Sequence, residues 1–284
     1  MLTIPIVKRM TDRIKRPTLR APGGKFRIAK WIVSHFPAHA FYVETHCFAA
    51  SVFFQKPKGK AEILNDINDK IINVFEVLRD PEQAMELQRL LELTPLSYTE
   101  YTRTYTLAPS TNKIEMARRL IFQSFSTIGS DGISRKRSGF RAIKNHKSGI
   151  HAGQEWSSYP QHIPSFTKRL KGVVLENRDA LKIIDIYDSP KTLFYLDPPY
   201  PMQSRGQHKR LYQFEMTEKD HIELAKRLHE IEGMAIISSY DTKFYRDLFP
   251  TWRMDSIKAR TQTNSTRIET IWMSPNIFEQ RKMF

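Results

Sequence analysis

The chain has 284 residues, a formal net charge of +15, 40% hydrophobic residues and one cysteine. This length and apolar fraction support one large domain, or a core domain carrying an insertion. No apolar run approaches the ~18 residues of a membrane helix, which excludes a transmembrane span, and Cys47 alone excludes an intrachain disulfide and a cysteine zinc cluster and points to a reducing, cytosolic compartment.

The surplus of positive charge suggests an acidic polymer as partner, most simply nucleic acid, with plain solubility charge as the alternative. Its distribution favours the first reading. Residues 1–40 hold nine Lys/Arg against Asp12, and residues 103–147 hold ten against Glu115 and Asp131. The N-terminal "MLTIPIVKRMTDRIKRPTLR" lacks the apolar core of about 7–15 residues that marks a secretory signal, and reads as a basic arm.

In chain order, "GGKFRIAKWIVSHFP" predicts a helix. Phe26, Ala29, Ile32 or Val33, and Phe36 recur at helical spacing, and Pro37 stops it. "FYVE" (41–44) and "AEIL" (61–64) read as short buried strands. "NDKIINVFEVLRD" (68–80) reads as a helix with Ile71, Ile72, Val74, Phe75 and Leu78 inward. Further helix is expected through about residue 93 and over 113–124. Residues 126–162, rich in Gly, Ser and basic side chains, read as an irregular, functional surface region. Strands are then expected at "VVLEN" (173–177), "TLFYLD" (192–197), "MAIISS" (234–239) and "IETIWM" (268–273), with helices near 179–186, 217–231 and 242–249 between them. Strand–helix alternation at both ends, around a basic irregular middle, predicts an open α/β sheet carrying a second lobe.

In such sheets ligands bind at the carboxyl ends of the strands. Glu44, Asp66 and Asp197 fall at three of those ends, and Asp179 just beyond a fourth. Any one of them is most simply a helix cap or a solvated loop acid; four at one sheet edge suggest a site. The sharpest stretch is "TLFYLDPPY". Proline fixes φ near −65° and lacks an N–H, and the residue before it is pushed out of the helical region. Two prolines after Asp197 therefore preset its carboxylate and the Asp197 and Pro198 carbonyls as acceptors, and Tyr200 adds a flat ring. Acceptors plus a ring suit a planar heterocycle with an exocyclic amine. The ring would stack on the base for roughly 1–3 kcal/mol, and a duplex base reaches such a pocket only when flipped out. A prolyl turn with a capping Asp and a core Tyr is the bland alternative.

Taken in order, several blocks resemble one family. "APGGKFRIAKWIVSHFP", "FYVETHCFAASVFFQKP", "ILNDINDKIINVFEVLRD", "LENRDAL", "LFYLDPPY", "MTEKDHIELAKRL", "SSYDTKFYRDLF" and "RIETIWMSPN", spanning about residues 20–276, resemble the Dam-like (D12 class) N6-adenine-specific DNA methyltransferases of phage and prophage type. The resemblance implies a Rossmann-like, S-adenosylmethionine-dependent methyltransferase sheet formed by residues 1–80 and 173–284, with an inserted, mainly helical target-recognition lobe over 81–172. It implies S-adenosylmethionine as methyl donor and double-stranded DNA as substrate. It also implies a bacterial host's cytoplasm as location, a phage, prophage or restriction–modification setting, and neither a metal nor a membrane. A monomer or weak dimer is expected. Gly23, Gly24 and Lys25 would lie by the methionine end of the donor, as would Glu44 and the loop after it. Asp66 would hold the ribose hydroxyls and Asp179 the donor's adenine. Asp197, Pro198, Pro199 and Tyr200 would form the catalytic corner around the target adenine. In the lobe, Arg118, Arg135, Lys136, Arg137, Arg141 and Lys144 are the expected DNA contacts.

The sequence departs from the family at one loop. Where the family reads acid-Pro-Phe-x-Gly-x-Gly, this chain has Glu44-Thr45-His46-Cys47-Phe48-Ala49-Ala50. Phe48 and Ala50 stand where glycines are expected, so either the loop has rearranged or donor binding is weakened. A methyltransferase-like DNA-binding protein without catalysis is therefore one rival reading, and an N4-cytosine or RNA methyltransferase another. His46 and Cys47 have no spaced His/Cys partners and read as loop residues. Phe140, Trp156 and Tyr159 are either base-contacting aromatics or aromatics tucked into the lobe. "KDH" (219–221) reads as a helix start rather than a catalytic pair. A nicotinamide enzyme is not indicated, since no G-x-G-x-x-G follows a strand.

Overall fold

The computed structural model describes residues 14–20, 23–128, 139–141, 151–205, 211–260 and 266–280. The expected first helix divides in two. Gly23 sits at φ +73° and Gly24 is extended, so winding starts only as a tight turn at Lys25–Arg27. Ile28, at φ −106° and ψ −1°, separates that turn from α1 (Ala29–Ser34). The break lets Lys25 point into the protein.

β1 (Phe41–Glu44) and β2 (Ala61–Asn65) follow. α2 (Asp69–Arg79) starts where the Asn68 side chain accepts from the Lys70 amide. At α3 (Pro81–Glu92), Asp80 caps two amides and Pro81 occupies the first turn, where a missing N–H costs nothing. α4 (Tyr98–Thr106) was not expected. Its sequence "YTEYTRTYT" is rich in β-branched threonine, a weak helix former, but the Ser97 cap and burial of Tyr101 hold it. α5 (Lys113–Ser126) is capped by Asn112.

Of the region 126–162 expected to be irregular, residues 129–138 and 142–150 lie outside the described residues. Within its described part lie α6 (Ala152–Ser157) and a turn at Pro160–His162, and α7 (Ile163–Leu170) begins just beyond it. These helices are short, so their apolar period is too brief to read. Trp156 and Tyr159 are buried in the lobe, and Phe140 packs near Tyr98 and Tyr101. Of the two readings of these aromatics, the tucked one describes their placement.

The chain then alternates β3 (Val174–Glu176), α8 (Ala180–Tyr187), β4 (Thr192–Leu196), α9 (Glu218–Glu230), β5 (Met234–Ser239) and α10 (Lys243–Leu248). It closes with β6 (Arg253–Arg260), β7 (Thr266–Met273) and α11 (Asn276–Gln280). β6 escapes a sequence reading because it is an edge strand paired only to β7. Its "RMDSIKAR" stays mostly solvated and carries no apolar run.

The seven strands run in the order β3-β2-β1-β4-β5-β7-β6. The first five are parallel, while β7 is antiparallel to both β5 and β6. Successive β4 residues feed opposite faces: Leu193 and Tyr195 join one apolar cluster, Phe194 and Leu196 the other. α8, α9 and α10 cover the second face. The first cluster runs from the sheet through Phe75 of α2 into Phe122 of α5 and Phe166 of α7, so the helical lobe shares its core with that face of the sheet. No helix among the described residues is long and apolar enough to cross a membrane.

Connections from β1 run outward to β2 and β3, whereas β4 leads outward to β5 on the other side. β1 and β4 are neighbours, with Glu44 opposite Tyr195. The order therefore reverses between them, and the crevice at their carboxyl ends is where this architecture places ligands.

Candidate active site

Asp197 follows β4 directly and stands at that crevice. Its carboxylate Oδ1 lies 3.0 Å from Lys25 Nζ, which arrives from the broken first helix. The Lys25 ammonium is nearly sealed from solvent. It donates to the Gly23 carbonyl at 2.7 Å, lies 3.7 Å from Glu269 Oε2, and sits 4.8 Å from the centre of the Tyr200 ring. Tyr200 is held from behind: its hydroxyl donates to Glu269 Oε2 at 2.9 Å, and its ring meets Tyr240 edge-on at 4.7 Å. Lys25, Asp197, Tyr200 and Glu269 thus form one recessed cluster with two carboxylates and one ammonium.

Burial opposes charge on Lys25, but the Asp197 and Glu269 carboxylates outweigh it and raise its pKa well above the ordinary value. Burial raises the pKa of Asp197, and the Lys25 charge and hydrogen bond act against that rise. Lys25 pairs with Oδ1, and among the described residues no donor to Oδ2 is seen. The Asp197 side chain is 24% exposed.

The loop after β1 forms the facing wall. Glu44 turns inward: its Oε1 accepts from the Tyr42 hydroxyl at 2.6 Å and the Phe53 amide at 2.7 Å. Burial nevertheless lifts its pKa to about 8. Asp66 bridges two segments, accepting from the Phe48 amide and the Asn68 amide, both at 2.9 Å. Burial lifts its pKa to about 6. Between them, Phe48 and Ala50 hold φ of +40° and +46°. This is the left-handed region that glycine enters freely and that costs other residues roughly 1–2 kcal/mol. The loop therefore keeps a glycine-type backbone at the two positions where the family has glycine, with the Phe48 ring added to the wall.

A cavity of about 340 Å³ opens at this edge, bounded among others by Gly23, Gly24, Phe48, Asp66, Asp179 and Asp197. A smaller recess, walled by Lys25, Glu44 and Tyr195, shares Gly24, His46, Phe48 and Asp197 with it. Asp179 caps α8, accepting from the Leu181 amide at 2.9 Å. The volume lies in the range of small-molecule and cofactor clefts, and Asp66, Asp179, Asp197 and a strained loop are among its lining.

Several residues at the site carry no local sequence signal. Glu269 comes from β7, 69 residues beyond Tyr200; the only hint is an acid within an apolar strand. Tyr212 closes the cleft against Gly23, where a methyl group would meet its hydroxyl at 3.3 Å. Glu215 seats Tyr212 by accepting from Arg205, at 2.9 Å, and from the Leu211 and Tyr212 amides. His221, within "KDH", is buried and contacts the Tyr245 hydroxyl at 3.0 Å. Its neighbour Asp220 closes a capping box with Thr217, as a helix start requires.

The expected DNA contacts divide. Arg135, Lys136, Arg137 and Lys144 lie outside the described residues. Arg141 bonds Glu155 at 2.6 Å. Arg118 is buried, and its guanidinium donates to Glu115, Glu100 and Thr94. It pins α4 and the end of α3 to α5, which is a structural task rather than the surface contact expected from its place in a basic segment.

With this geometry in view, comparison with known proteins is specific. The model of the D12 class N6 adenine-specific DNA methyltransferases matches residues 22–264. The chain is 24% identical over 259 residues to the DNA adenine methylase of Haemophilus influenzae, covering 86% of each protein. It is 23% identical over 275 residues to the Type II methyltransferase M.MjaIII of Methanocaldococcus jannaschii, covering 88% of this chain and 93% of that one. The Asp-Pro-Pro-Tyr corner, the cleft beside it and the family match over most of the chain converge: this protein belongs to the D12 class of N6 adenine-specific DNA methyltransferases.

Proposed function

We propose that the protein methylates N6 of adenine in double-stranded DNA, with the target base flipped against the Asp197–Tyr200 corner and S-adenosylmethionine in the adjoining cleft. One observation carries the reading. Asp197 stands at the reversal point of the sheet, on a wall shared by the cavity and the smaller recess, with its side chain 24% exposed.

When bound, the donor supplies an activated methyl group on sulfur, which leaves as the carbon–sulfur bond breaks. The residues here do the positioning. Asp197 Oδ2 and the rigid backbone at Pro198 and Pro199 accept the N6 hydrogens and turn the nitrogen lone pair toward the methyl carbon. Tyr200 presents a ring for stacking, fixed by Glu269. One N6 proton is lost to solvent after transfer, so no covalent enzyme intermediate is needed; orientation supplies most of the rate. Asp66 and Asp179 line the cavity and suit hydroxyl and amine groups of the donor. Gly23, Gly24, Lys25 and the Glu44 loop border the methionine end. Residues 81–172 act as the target-recognition lobe, and the enzyme works in the cytoplasm with its DNA.

Transfer of tritiated methyl to DNA, followed by digestion and identification of the nucleoside, tests this. N6-methyl-2′-deoxyadenosine is expected. N4-methylcytosine, or no transfer at saturating donor with DNA binding intact, would overturn it.

A further inference from the structure

Glu155 on α6 draws three arginines from separate stretches of chain. Arg16 Nη1 lies at 3.5 Å, Arg20 Nη1 at 2.9 Å and Arg141 Nη1 at 2.6 Å. One guanidinium suffices to satisfy a carboxylate. Three on one anion leave a local excess of two positive charges, held together against their own repulsion. Elsewhere in the lobe the pairing is balanced: Arg118 and Arg119 face Glu100 and Glu115.

Arg20 has structural anchors, since its amide donates to Ser124 Oγ and its guanidinium lies 5.9 Å from the Phe125 ring centre. Arg16 and Arg141 are different. Each spends only Nη1 on Glu155, and their other guanidinium N–H groups meet no partner among the described residues. Their side chains are both 27% exposed. The His162 pKa is lowered by burial and then by Arg16 and Lys15, so the positive field extends along this face.

The cluster is also tied to the cleft. Arg20 precedes Gly23 by three residues, and a chain spans at most ~3.6 Å per residue, so their backbones lie within ~11 Å. Phosphates of a duplex strand recur every ~3.4 Å of helix rise. A strand that delivers a base to Asp197 therefore carries neighbouring phosphates across this span.

We propose that Arg16, Arg20 and Arg141, gathered on Glu155, form a seat for a DNA backbone phosphate flanking the target nucleotide. The assignment rests on the DNA methylation reading above. Glu155 holds the three guanidiniums in one place without neutralising them, and the uncommitted donors of Arg16 and Arg141 meet the phosphate oxygens. Such a seat fixes register and supplies affinity without reading sequence.

Fluorescence anisotropy with a labelled duplex, over a salt series, tests the seat. The double variant Arg16→Gln, Arg141→Gln is compared with Lys219→Gln, Lys243→Gln, which removes equal charge from exposed i,i+4 pairs. Losing the contact to that one phosphate should lower the slope of log affinity against log salt by about 1 and weaken binding at least tenfold at moderate salt; the lysine control should change neither so far. Each single arginine variant should lose about half of the slope change. An unchanged slope in the arginine variants, or an equal loss in the lysine control, would overturn the proposal. Methyl transfer by the wild-type protein in the same buffers is read separately. Its absence would reject the enzymatic reading, while the salt slopes would still decide the seat.

Discussion

Lys25 Nζ stands 3.0 Å from Asp197 Oδ1, linking the N-terminal Gly-Gly-Lys turn directly to the acid that would grip the target amine. The same ammonium lies 3.7 Å from Glu269 Oε2, which in turn holds the Tyr200 hydroxyl. One buried cation therefore sets the charge and direction of the acid and, through Glu269, the posture of the ring. Removing one partner of such a cluster leaves an uncompensated charge, which costs more than the pair itself contributes.

For Lys25→Met, burial of Asp197 would act without its opposing cation, and the carboxyl pKa should climb further. A raised folded-state pKa means that the fold prefers the protonated acid, so stability is kept below the unfolded pKa and lost as pH rises through the folded one. The melting-temperature gap between wild type and Lys25→Met should widen from pH 5 to pH 8. The pH profile of kcat/KM should shift to higher pH, with a loss of about 100-fold near neutrality, in the range assigned to charge positioning. A parallel, pH-independent loss would remove Lys25 from this role.

Asp197→Ala should abolish methyl transfer and leave DNA affinity nearly unchanged, because the carboxylate grips one amine while the phosphate contacts supply most of the binding. Steady-state transfer and anisotropy on the same preparations check both halves. Turnover near the wild-type rate would disprove the role given to Asp197.

Phe48→Gly should tighten S-adenosylmethionine binding. It releases left-handed strain of roughly 1–2 kcal/mol and clears the wall shared by the cavity and the recess. Calorimetric titration reads the change. Weaker binding would show that the loop uses the phenyl ring as part of the donor site.

Glu44→Gln tests the buried acid behind that loop. Burial lifts the Glu44 pKa to about 8, above an unfolded value near 4.5, so wild-type stability should fall progressively as pH rises between those values. The neutral glutamine has no such dependence. Melting temperatures of variant and wild type should converge near pH 5 and diverge in favour of the variant by pH 9. A constant offset would mean that Glu44 is ionised across the range.

Short, strongly apolar segments ended by proline or acid were readable in one dimension. "TLFYLDPPY" announces a buried strand delivering an acid, and Glu44, Asp66 and Asp179 follow three other strands at the same edge. Parallel strands put their carboxyl ends together, so acids far apart along the chain need only share that local pattern to meet. Arg118 shows the opposite case. Its basic neighbourhood suggests a surface, whereas Glu100 of α4 and Glu115, one turn earlier on α5, pull it inside. β6 and α4 show a third case, since an edge strand needs no apolar run and a capped, packed helix tolerates poor formers.

Local periodicity, proline placement and the order of blocks along the chain were enough to define the α/β sheet, the position of its Asp-Pro-Pro-Tyr corner and the glycine-poor loop opposite. They could not say that this loop keeps a glycine-type backbone at Phe48 and Ala50, because φ is set by the hydrogen bonds and packing around it. Nor could they join Lys25, Asp197 and Glu269, or Arg16, Arg20, Arg141 and Glu155. Those partners lie up to 244 residues apart for the first set, Lys25 to Glu269, and 139 for the second, Arg16 to Glu155. Only the folded sheet and lobe bring such distant charges within hydrogen-bonding reach.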